Sequence, residues 1–289
     1  MADVVAGAEG SFVPHPSGAR AILRKTYLFT YLRGWRVWSS YRAQVALTIL
    51  GWLVPVFLFF VLAGFLGVAG SSIGALDGAS YVSFFVVGLA FQGFVSNLVG
   101  LMAQRIRNEQ MMGTLELVFL SPTSPGAVLA YSTLFGVVLN LIAAVVILAV
   151  GAGALGVQLA INLPTVILGT ILLAVSSTGL GLIAAAFILW TKQGNPVATF
   201  FTLFTQFFAG VLFPISVLPA GIRWLAYSVP LTFGLNVLRS GLLQGGSIAD
   251  AWAGLAWMGV YALITVPLGI FLFQYVLRLT KEEGTVATY

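Results

Sequence analysis

The chain has 289 residues, of which 60% are hydrophobic and only 7% are charged. Soluble domains carry about 25% charged residues. Here eight charges lie in residues 1–43 and four in residues 278–289, which leaves nine for residues 44–277. The composition predicts an integral membrane protein and excludes a disordered chain, a secreted disulfide scaffold and an ordinary cytosolic enzyme.

The residue types that are absent or rare in the sequence exclude further classes of functional site. It has no cysteine and one histidine, His15, which excludes thiolate and multi-histidine metal sites within one chain. None of the three lysines follows a glycine, so there is no phosphate-binding P-loop, and any ATP must be bound by another polypeptide. No basic and aromatic groove indicates nucleic acid. The first apolar run, from about Gln44, is too long for a signal peptide, so we expect no cleaved secretory signal.

The predicted fold is an all-α membrane protein with six transmembrane helices, because a span needs about 20 mostly apolar residues. Residues 1–19 are rich in Gly, Ala, Ser and Pro and are predicted to form a flexible head, whereas residues 278–289 form a tail. Residues 44–277 form the transmembrane domain. The six predicted spans are residues 44–68, 79–104, 126–150, 165–190, 195–212 and 252–277.

The segment before the first span, residues 20–43, is predicted to be an amphipathic helix over about Arg20–Trp38. Such a helix lies in the headgroup plane, with its rings at the boundary and its cations towards anionic lipid. It acts either as a general membrane anchor or as a coupling element. Its aromatic and apolar face contains Tyr27, Leu28, Tyr31, Leu32, Trp35 and Trp38, and the cations Lys25, Arg33 and Arg36 lie beside it.

Loop charges predict the orientation. Eleven basic residues flank one side of the predicted spans, and only Arg223 and Arg239 lie on the other. Because the cytoplasmic side carries the excess of Lys and Arg, both termini are predicted to be cytoplasmic.

The cytoplasmic loop after the second span, Arg105–Pro125, contains a predicted short helix over about Glu109–Leu120, which Ser121-Pro122 ends. Its apolar residues recur at helical spacing. This face packs either on the protein's own membrane domain or on a partner subunit.

The segment between the fifth and sixth spans, Leu212–Gly246, is apolar but is interrupted by three prolines. It predicts two short helices, over about residues 220–228 and 232–243. Arg223 and Arg239 are expected at the outer interface, because each would cost about 2.5–3.5 kcal/mol at mid-bilayer. The segment is either a re-entrant cap on the outer side or a lipid-facing loop.

Two spans carry stripes of uncharged polar residues, which must turn away from lipid. Gln92, Ser96 and Asn97 lie on the second span, and Thr199, Thr202 and Gln206 lie on the fifth. They form either hydrogen bonds between helices or a shared pathway. Ser177, Gly181 and Ala185 on the fourth span are predicted to form a close-packing face.

The carboxylates argue against several chemistries. Asp77, Glu109, Glu116 and Asp250 lie in or beside loops, and none is expected in the middle of a span. Proton- and sodium-coupled transporters usually need such a buried carboxylate, and membrane hydrolases need clusters of His or carboxylates.

Together these features resemble the permease subunit of type-2 ABC exporters. The resemblance covers about residues 20–280. It rests on the basic N-terminal helix, the six spans with both ends inside, and two motifs. The loop motif is Glu109, Gly113-Thr114-Leu115-Glu116 and Ser121-Pro122, and the outer motif is Phe213-Pro214, Leu218-Pro219, Pro230-Leu231-Thr232 and Arg239.

The resemblance implies a complex of two permeases and two ABC ATPases in a prokaryotic cytoplasmic membrane. ATP and Mg would bind the ATPases, and this chain would hold no catalytic residue, metal or cofactor. The loop motif would be the coupling helix, and the amphipathic helix in residues 20–43 would be the connecting helix that packs near it. The outer motif would be a re-entrant gate, and the two polar stripes would form the path of an amphipathic or hydrophobic cargo. The alternatives are an ATP-independent channel, a membrane assembly scaffold and a membrane enzyme.

Overall fold

The computed structural model describes Arg24 and residues 26–65, 80–113, 125–191 and 196–282. The regular structure in these ranges is helical. A π-helix, Leu28–Trp35, comes first and is followed by nine α-helices. These are α1 Arg36–Ser40, α2 Arg42–Phe65, α3 Tyr81–Met111, α4 Pro125–Ala154, α5 Leu163–Thr191, α6 Pro196–Phe208, α7 Arg223–Ala226, α8 Pro230–Leu243 and α9 Trp252–Glu282.

The described part of the N-terminal segment is helical, as predicted, but Leu28–Trp35 is a π-helix that continues into α1 as far as Ser40. Residues 20–23 and 25 lie outside the described residues. The rings of Tyr27 and Tyr31 stack with centroids 5.3 Å apart and stay exposed. Gly34 is buried against the ring of Phe135 on α4. One side of the segment therefore packs against α4, and the opposite side exposes aromatic rings.

Five of the described helices are long and apolar enough to cross a membrane: α2, α3, α4 from Thr133, α5 and α9. The fifth predicted span corresponds to α6, which has 13 residues and is therefore about 20 Å long, against a hydrocarbon core of about 30 Å. It ends at Phe208, earlier than predicted, because Gly210 adopts φ +77. A sixth crossing stays a prediction.

Helix α3 forms the centre of the bundle. In its most apolar stretch 78% of the residues are buried, compared with 6% in α2. Helices α4, α5, α6 and α8 all pack against α3. The side chain of Ser80 caps its first turn by accepting a hydrogen bond from the Ser83 amide at 3.2 Å. Helix α2 therefore lies at the periphery and leaves most of its surface uncovered.

Small residues let α5 pack closely on two neighbours. Ser177, Gly181 and Ala185 are all buried, and a Cβ on Gly181 would lie 3.2 Å from the Leu98 carbonyl oxygen of α3. The predicted close-packing face therefore exists and packs on α3. On its other side, a Cβ at Gly179 would lie 2.5 Å from the backbone carbon of Thr265 on α9.

The loop between α4 and α5 holds the end of α8 through hydrogen bonds. The Ala160 amide donates to the Leu242 carbonyl at 2.9 Å, and the Asn162 amide donates to the Gly241 carbonyl at 2.8 Å. The buried Thr165 hydroxyl donates to the Gly246 carbonyl at 2.9 Å. The end of α8 is therefore anchored to the beginning of α5.

Candidate gating and coupling site

The segment between α6 and α9 folds into a compact cap. It contains a 3₁₀ turn, Ile215–Val217, then α7 and α8. Helix α7 is shorter than the predicted helix over 220–228, whereas α8 begins two residues earlier than predicted. Helix α8 begins earlier because Pro230 is suited to the first position of a helix. The backbone amide hydrogen that proline lacks would have no partner within the helix at that position.

Side chains inside the cap donate hydrogen bonds to backbone carbonyls. The Arg223 guanidinium donates from Nη2 to the Ser216 and Leu218 carbonyls, each at 3.0 Å. The Thr232 hydroxyl donates to the Ala226 carbonyl and thereby joins α7 to α8. These bonds fix the irregular chain between the two short helices.

Arg239 on α8 attaches the cap to the bundle. Its Nη2 donates to the Phe84 carbonyl at 3.1 Å and to the Gly210 carbonyl at 2.9 Å. The guanidinium carbon also lies 3.4 Å from the centroid of the Phe84 ring. The sequence predicted Arg239 at the outer membrane interface. This prediction is wrong for its side chain, because the structure buries the Nε atom inside the protein. A single cation therefore joins α8, the turn after α6 and the first turn of α3.

Two tyrosines add further bonds between the cap and the bundle. The Tyr81 hydroxyl, at the beginning of α3, donates to the Leu212 carbonyl at 2.6 Å. The Tyr261 hydroxyl on α9 donates to the Tyr227 carbonyl next to α7. Together with Arg239 they form what we call the latch: the Arg239, Tyr81 and Tyr261 side chains and the carbonyls that they bind.

The residues predicted to form the outer gate all belong to this cap. The structure buries most of them in the cap or between it and the bundle, and it leaves Pro219 exposed. Phe213 and Arg239 are partly buried, and the buried residues are Pro214, Leu218, Pro230, Leu231 and Thr232.

The polar residues predicted to line a path are divided between two helix pairs. The Gln92 amide nitrogen on α3 donates to the Thr202 carbonyl of α6 at 3.1 Å. Thr202 donates its own hydroxyl to the Ala198 carbonyl. On the same helix, Thr199 is exposed and Gln206 is partly buried. The α3 and α6 stripes therefore meet at Gln92 and Thr202.

Asn97 faces a different neighbour. Its amide nitrogen donates to the Asn140 side-chain oxygen on α4 at 2.7 Å, and Asn140 in turn donates to the Gly136 carbonyl at 2.7 Å. The Ser96 hydroxyl is buried and has no hydrogen-bond partner among the described residues. The structure thus brings Gln92 to α6 and Asn97 to α4.

The opposite end of α3 leads into the predicted coupling segment. Arg105 and Glu109 form an i, i+4 ion pair, with Nε and Oε1 3.7 Å apart. The helix ends at Met111, and Gly113 then turns the chain with φ +67. Thr114, Leu115, Glu116, Ser121 and Pro122 lie outside the described residues.

Four participants in the contacts described above were not predicted from the sequence: Tyr81, Tyr261, Asn140 and Gly210. Tyr81 and Tyr261 were read only as part of apolar spans. Asn140 stands alone in an apolar stretch of α4, and that isolation was a usable signal, because an uncharged polar group in lipid needs a partner. Gly210 carried no signal of its own.

The model of the ABC-2 type transporter family matches residues 27–243. The chain belongs to the ABC-2 type transporter family. No curated protein matches the chain. The resemblance to an ABC permease is confirmed, and the chain is a multi-pass transmembrane subunit of an ABC transporter. Membership in this family implies a partner ABC ATPase subunit.

Proposed function

We propose that the chain is the transmembrane subunit of an ATP-driven exporter that moves an amphipathic or hydrophobic compound out of the cytoplasm or the inner leaflet. Two copies work with two ATPase subunits in a prokaryotic cytoplasmic membrane, with both termini in the cytoplasm. The ATPases bind ATP and Mg, and this chain supplies the pathway and the gate.

One observation carries the proposal: α3 connects the latch to the coupling segment. Its first turns contact Leu212 through Tyr81 and bind Arg239 through the Phe84 carbonyl. Its last turn reaches Met111, directly before the coupling segment. A helix of 31 residues is about 46 Å long and spans the bilayer core as one element. A displacement of its cytoplasmic end would therefore also move the residues of the latch at its other end.

In the proposed cycle, ATP binding closes the two ATPases and moves the coupling segment. Coupling residues Glu109, Gly113, Thr114, Leu115, Glu116, Ser121 and Pro122 transfer this motion to α3 as a rigid element. The latch then opens and the cap releases the outer end of the path. ATP drives this change only because the ATPases bind it more tightly in one of the two states.

The exposed face of α6 suits an apolar surface at the interface between two copies. Phe200 is 68% exposed and Phe207 is 53% exposed, and Thr199 and Gln206 lie beside them. A path between two such faces offers rings and uncharged polar groups to its cargo. We propose Gln92, Ser96, Asn97, Thr199, Thr202 and Gln206 as its polar lining.

Purification from native membranes tests the energy source. The tagged chain should copurify with a subunit that carries a P-loop and hydrolyses ATP. Glu116→Lys should abolish most cargo-stimulated hydrolysis, whereas the matched change Glu283→Lys in the tail should preserve it. An ATP-independent channel or a scaffold predicts no hydrolysing subunit, and that result would overturn the proposal.

Single-cysteine variants test the orientation, and the absence of native cysteine makes them free of background. Met112 and Trp224 are 62% and 66% exposed. In intact cells a membrane-impermeant maleimide should label Trp224→Cys, and Met112→Cys only after permeabilisation. The reverse pattern contradicts a cytoplasmic coupling segment.

The rival membrane enzyme is tested through the acidic residues. If the chain only forms the pathway, Asp77→Asn and Asp250→Asn should leave transport almost unchanged. Loss of activity in either variant, with normal expression and assembly, would favour an enzyme.

A further inference from the structure

An apolar groove opens between the N-terminal segment, α2 and α4. Its volume is about 450 Å³. Five aliphatic side chains and the rings of Trp35, Trp38 and Trp52 line it, and Ser39 and Arg42 are its polar lining among the described residues. The groove lies apart from the latch, from the coupling segment and from the polar stripes, so the proposed function gives it no role.

The groove results from the way in which the chain turns into the membrane. The N-terminal segment is held on α4, where Gly34 is buried against the Phe135 ring and the ring centroids of Trp38 and Phe135 lie 6.4 Å apart. At Tyr41 the backbone leaves the helical conformation, with φ −95 and ψ 78. Helix α2 then begins in a new direction, and only 6% of its apolar stretch is buried. The space between it and α4 therefore stays open.

The length of the groove matches the depth of one leaflet. Along α2 its lining runs from Arg42 to Trp52, which is about 15 Å of helix. The hydrocarbon core of a bilayer is about 30 Å thick, so one leaflet contributes about 15 Å. Arg42 lies at the beginning of the first span, on the predicted cytoplasmic side, and Trp52 and Ile142 lie deeper. The polar end of the groove is therefore at the membrane surface and its apolar end is inside.

The volume of the groove admits a hydrocarbon chain but not a helix of a second copy. A helix is about 10–12 Å in diameter with its side chains and would occupy about 1,200 Å³ or more over a length of 15 Å. The groove offers about 450 Å³, within the range of about 300–1,000 Å³ that is typical of small-molecule sites. Its lining below Arg42 is apolar, which favours hydrocarbon over a polar ligand.

The charge at the polar end favours an anionic headgroup. Arg42 lines the groove, and Arg36 is exposed three residues before Ser39. Neither cation forms an ion pair with a carboxylate in the part of the chain that the structure describes. Cations at the cytoplasmic surface of a membrane attract anionic lipids. Tryptophan rings such as those of Trp35 and Trp38 favour the same headgroup level.

We propose that the groove binds one anionic phospholipid of the cytoplasmic leaflet. Its phosphate lies at Arg42 and Arg36, and one acyl chain extends along Ile49 and Ile142 towards Trp52. The chain fills the gap between the N-terminal segment, α2 and α4, and adds contacts to a helix that makes few with the rest of the protein. This inference goes beyond the proposed export function, because the lipid is a bound component of the subunit and not its cargo.

A lipid titration tests the proposal. The chain, purified with any ATPase subunit that accompanies it, is delipidated in mild detergent and titrated with phosphatidylglycerol or with phosphatidylcholine of the same acyl chains. Native mass spectrometry counts the bound lipids. We expect phosphatidylglycerol to bind at least about tenfold more tightly, because each cation at the membrane surface contributes about a factor of five. Higher salt should reduce this preference, since it screens exposed charges.

Two pairs of variants locate the lipid. Arg42→Gln should weaken binding of phosphatidylglycerol about fivefold, whereas Arg278→Gln, which removes an exposed cation outside the groove, should not. Ile142→Trp should abolish most of the binding by filling the groove. Its matched control is Val145→Trp, three residues further along α4 and 64% exposed, which should bind as the wild type does. All four variants should elute like the wild type in size-exclusion chromatography.

Four results would overturn the inference. Equal binding of the two phospholipids would indicate an ordinary membrane lipid, and binding that persists in Ile142→Trp would place the lipid elsewhere. Displacement of the lipid by glycerol phosphate would indicate a site for a free anion. A complex that binds no phosphatidylglycerol would indicate that another part of the chain or a second copy covers the groove. None of these results touches the export proposal, which depends on the ATPase measurement.

Discussion

Replacing Arg239 with methionine removes the charged part of the latch and keeps the length and apolar stem of the side chain. Two hydrogen bonds from a charged donor contribute about 1.5–3 kcal/mol each, and the contact with the Phe84 ring about 0.5–2 kcal/mol. Methionine also avoids the cost of burying a charge, which is several kcal/mol. We therefore expect the latch to be weaker by about 2–3 kcal/mol.

Thiol labelling at Val211 measures this weakening. Val211 is 0% exposed, so a cysteine there reacts only when the latch opens, and a membrane-permeant thiosulfonate reports the opening. A loss of about 2–3 kcal/mol corresponds to labelling about 30- to 150-fold faster in Arg239→Met. Arg239→Lys should fall between the two, because one ammonium cannot reproduce the planar guanidinium.

Two controls distinguish local opening from general loosening. Labelling of a cysteine at buried Ala185 should stay unchanged in Arg239→Met, since that site packs against the half of α3 that leads to Met111, far from the latch. Arg278→Met removes an exposed cation and should leave the Val211 cysteine protected. Unchanged labelling in Arg239→Met, or equal acceleration at Ala185, would refute the assigned latch.

Two further predictions concern packing. Gly179→Leu should abolish most of the folded, monodisperse protein in size-exclusion chromatography, because its Cβ would lie 2.5 Å from the Thr265 backbone, whereas Gly259→Leu should give normal yield. Thr165→Val should lower stability by about 1–3 kcal/mol, because the Gly246 carbonyl loses a buried donor; an unchanged thermal midpoint would contradict that role.

The long apolar helices were predictable from the sequence because hydropathy and helix-breaking residues act locally. The predicted span 165–190 is helix Leu163–Thr191, and the predicted span 252–277 begins at the observed Trp252. The prediction ended the second span at residue 104, where apolar residues stop. The helix itself continues to Met111, with an ion pair between Arg105 and Glu109 in these last turns. Hydropathy records the edge of the membrane, and α3 extends beyond it.

The contacts of the candidate site could not be read from the sequence, because they join distant parts of the chain. Arg239 and Phe84 are 155 residues apart, and a local pattern only indicates that an arginine should avoid the bilayer centre. Burial against backbone carbonyls achieves this as well as exposure at the interface does. Likewise, the helical repeat of the sequence places Gln92 and Asn97 in one polar stripe. Only the packing of α4 and α6 shows that the two residues contact different helices.

The different burial of α2 and α3 has a consequence for how the subunit would work. Contacts on nearly all sides keep α3 rigid, as a connection between latch and coupling segment requires. Helix α2 has few contacts within the chain, with only 6% of its apolar stretch buried, so it can shift at small cost. Its displacement would leave the packing of α3 largely undisturbed. A fixed central helix and a loosely held peripheral helix would therefore let a movement of α2 and the release of the latch proceed as separate events.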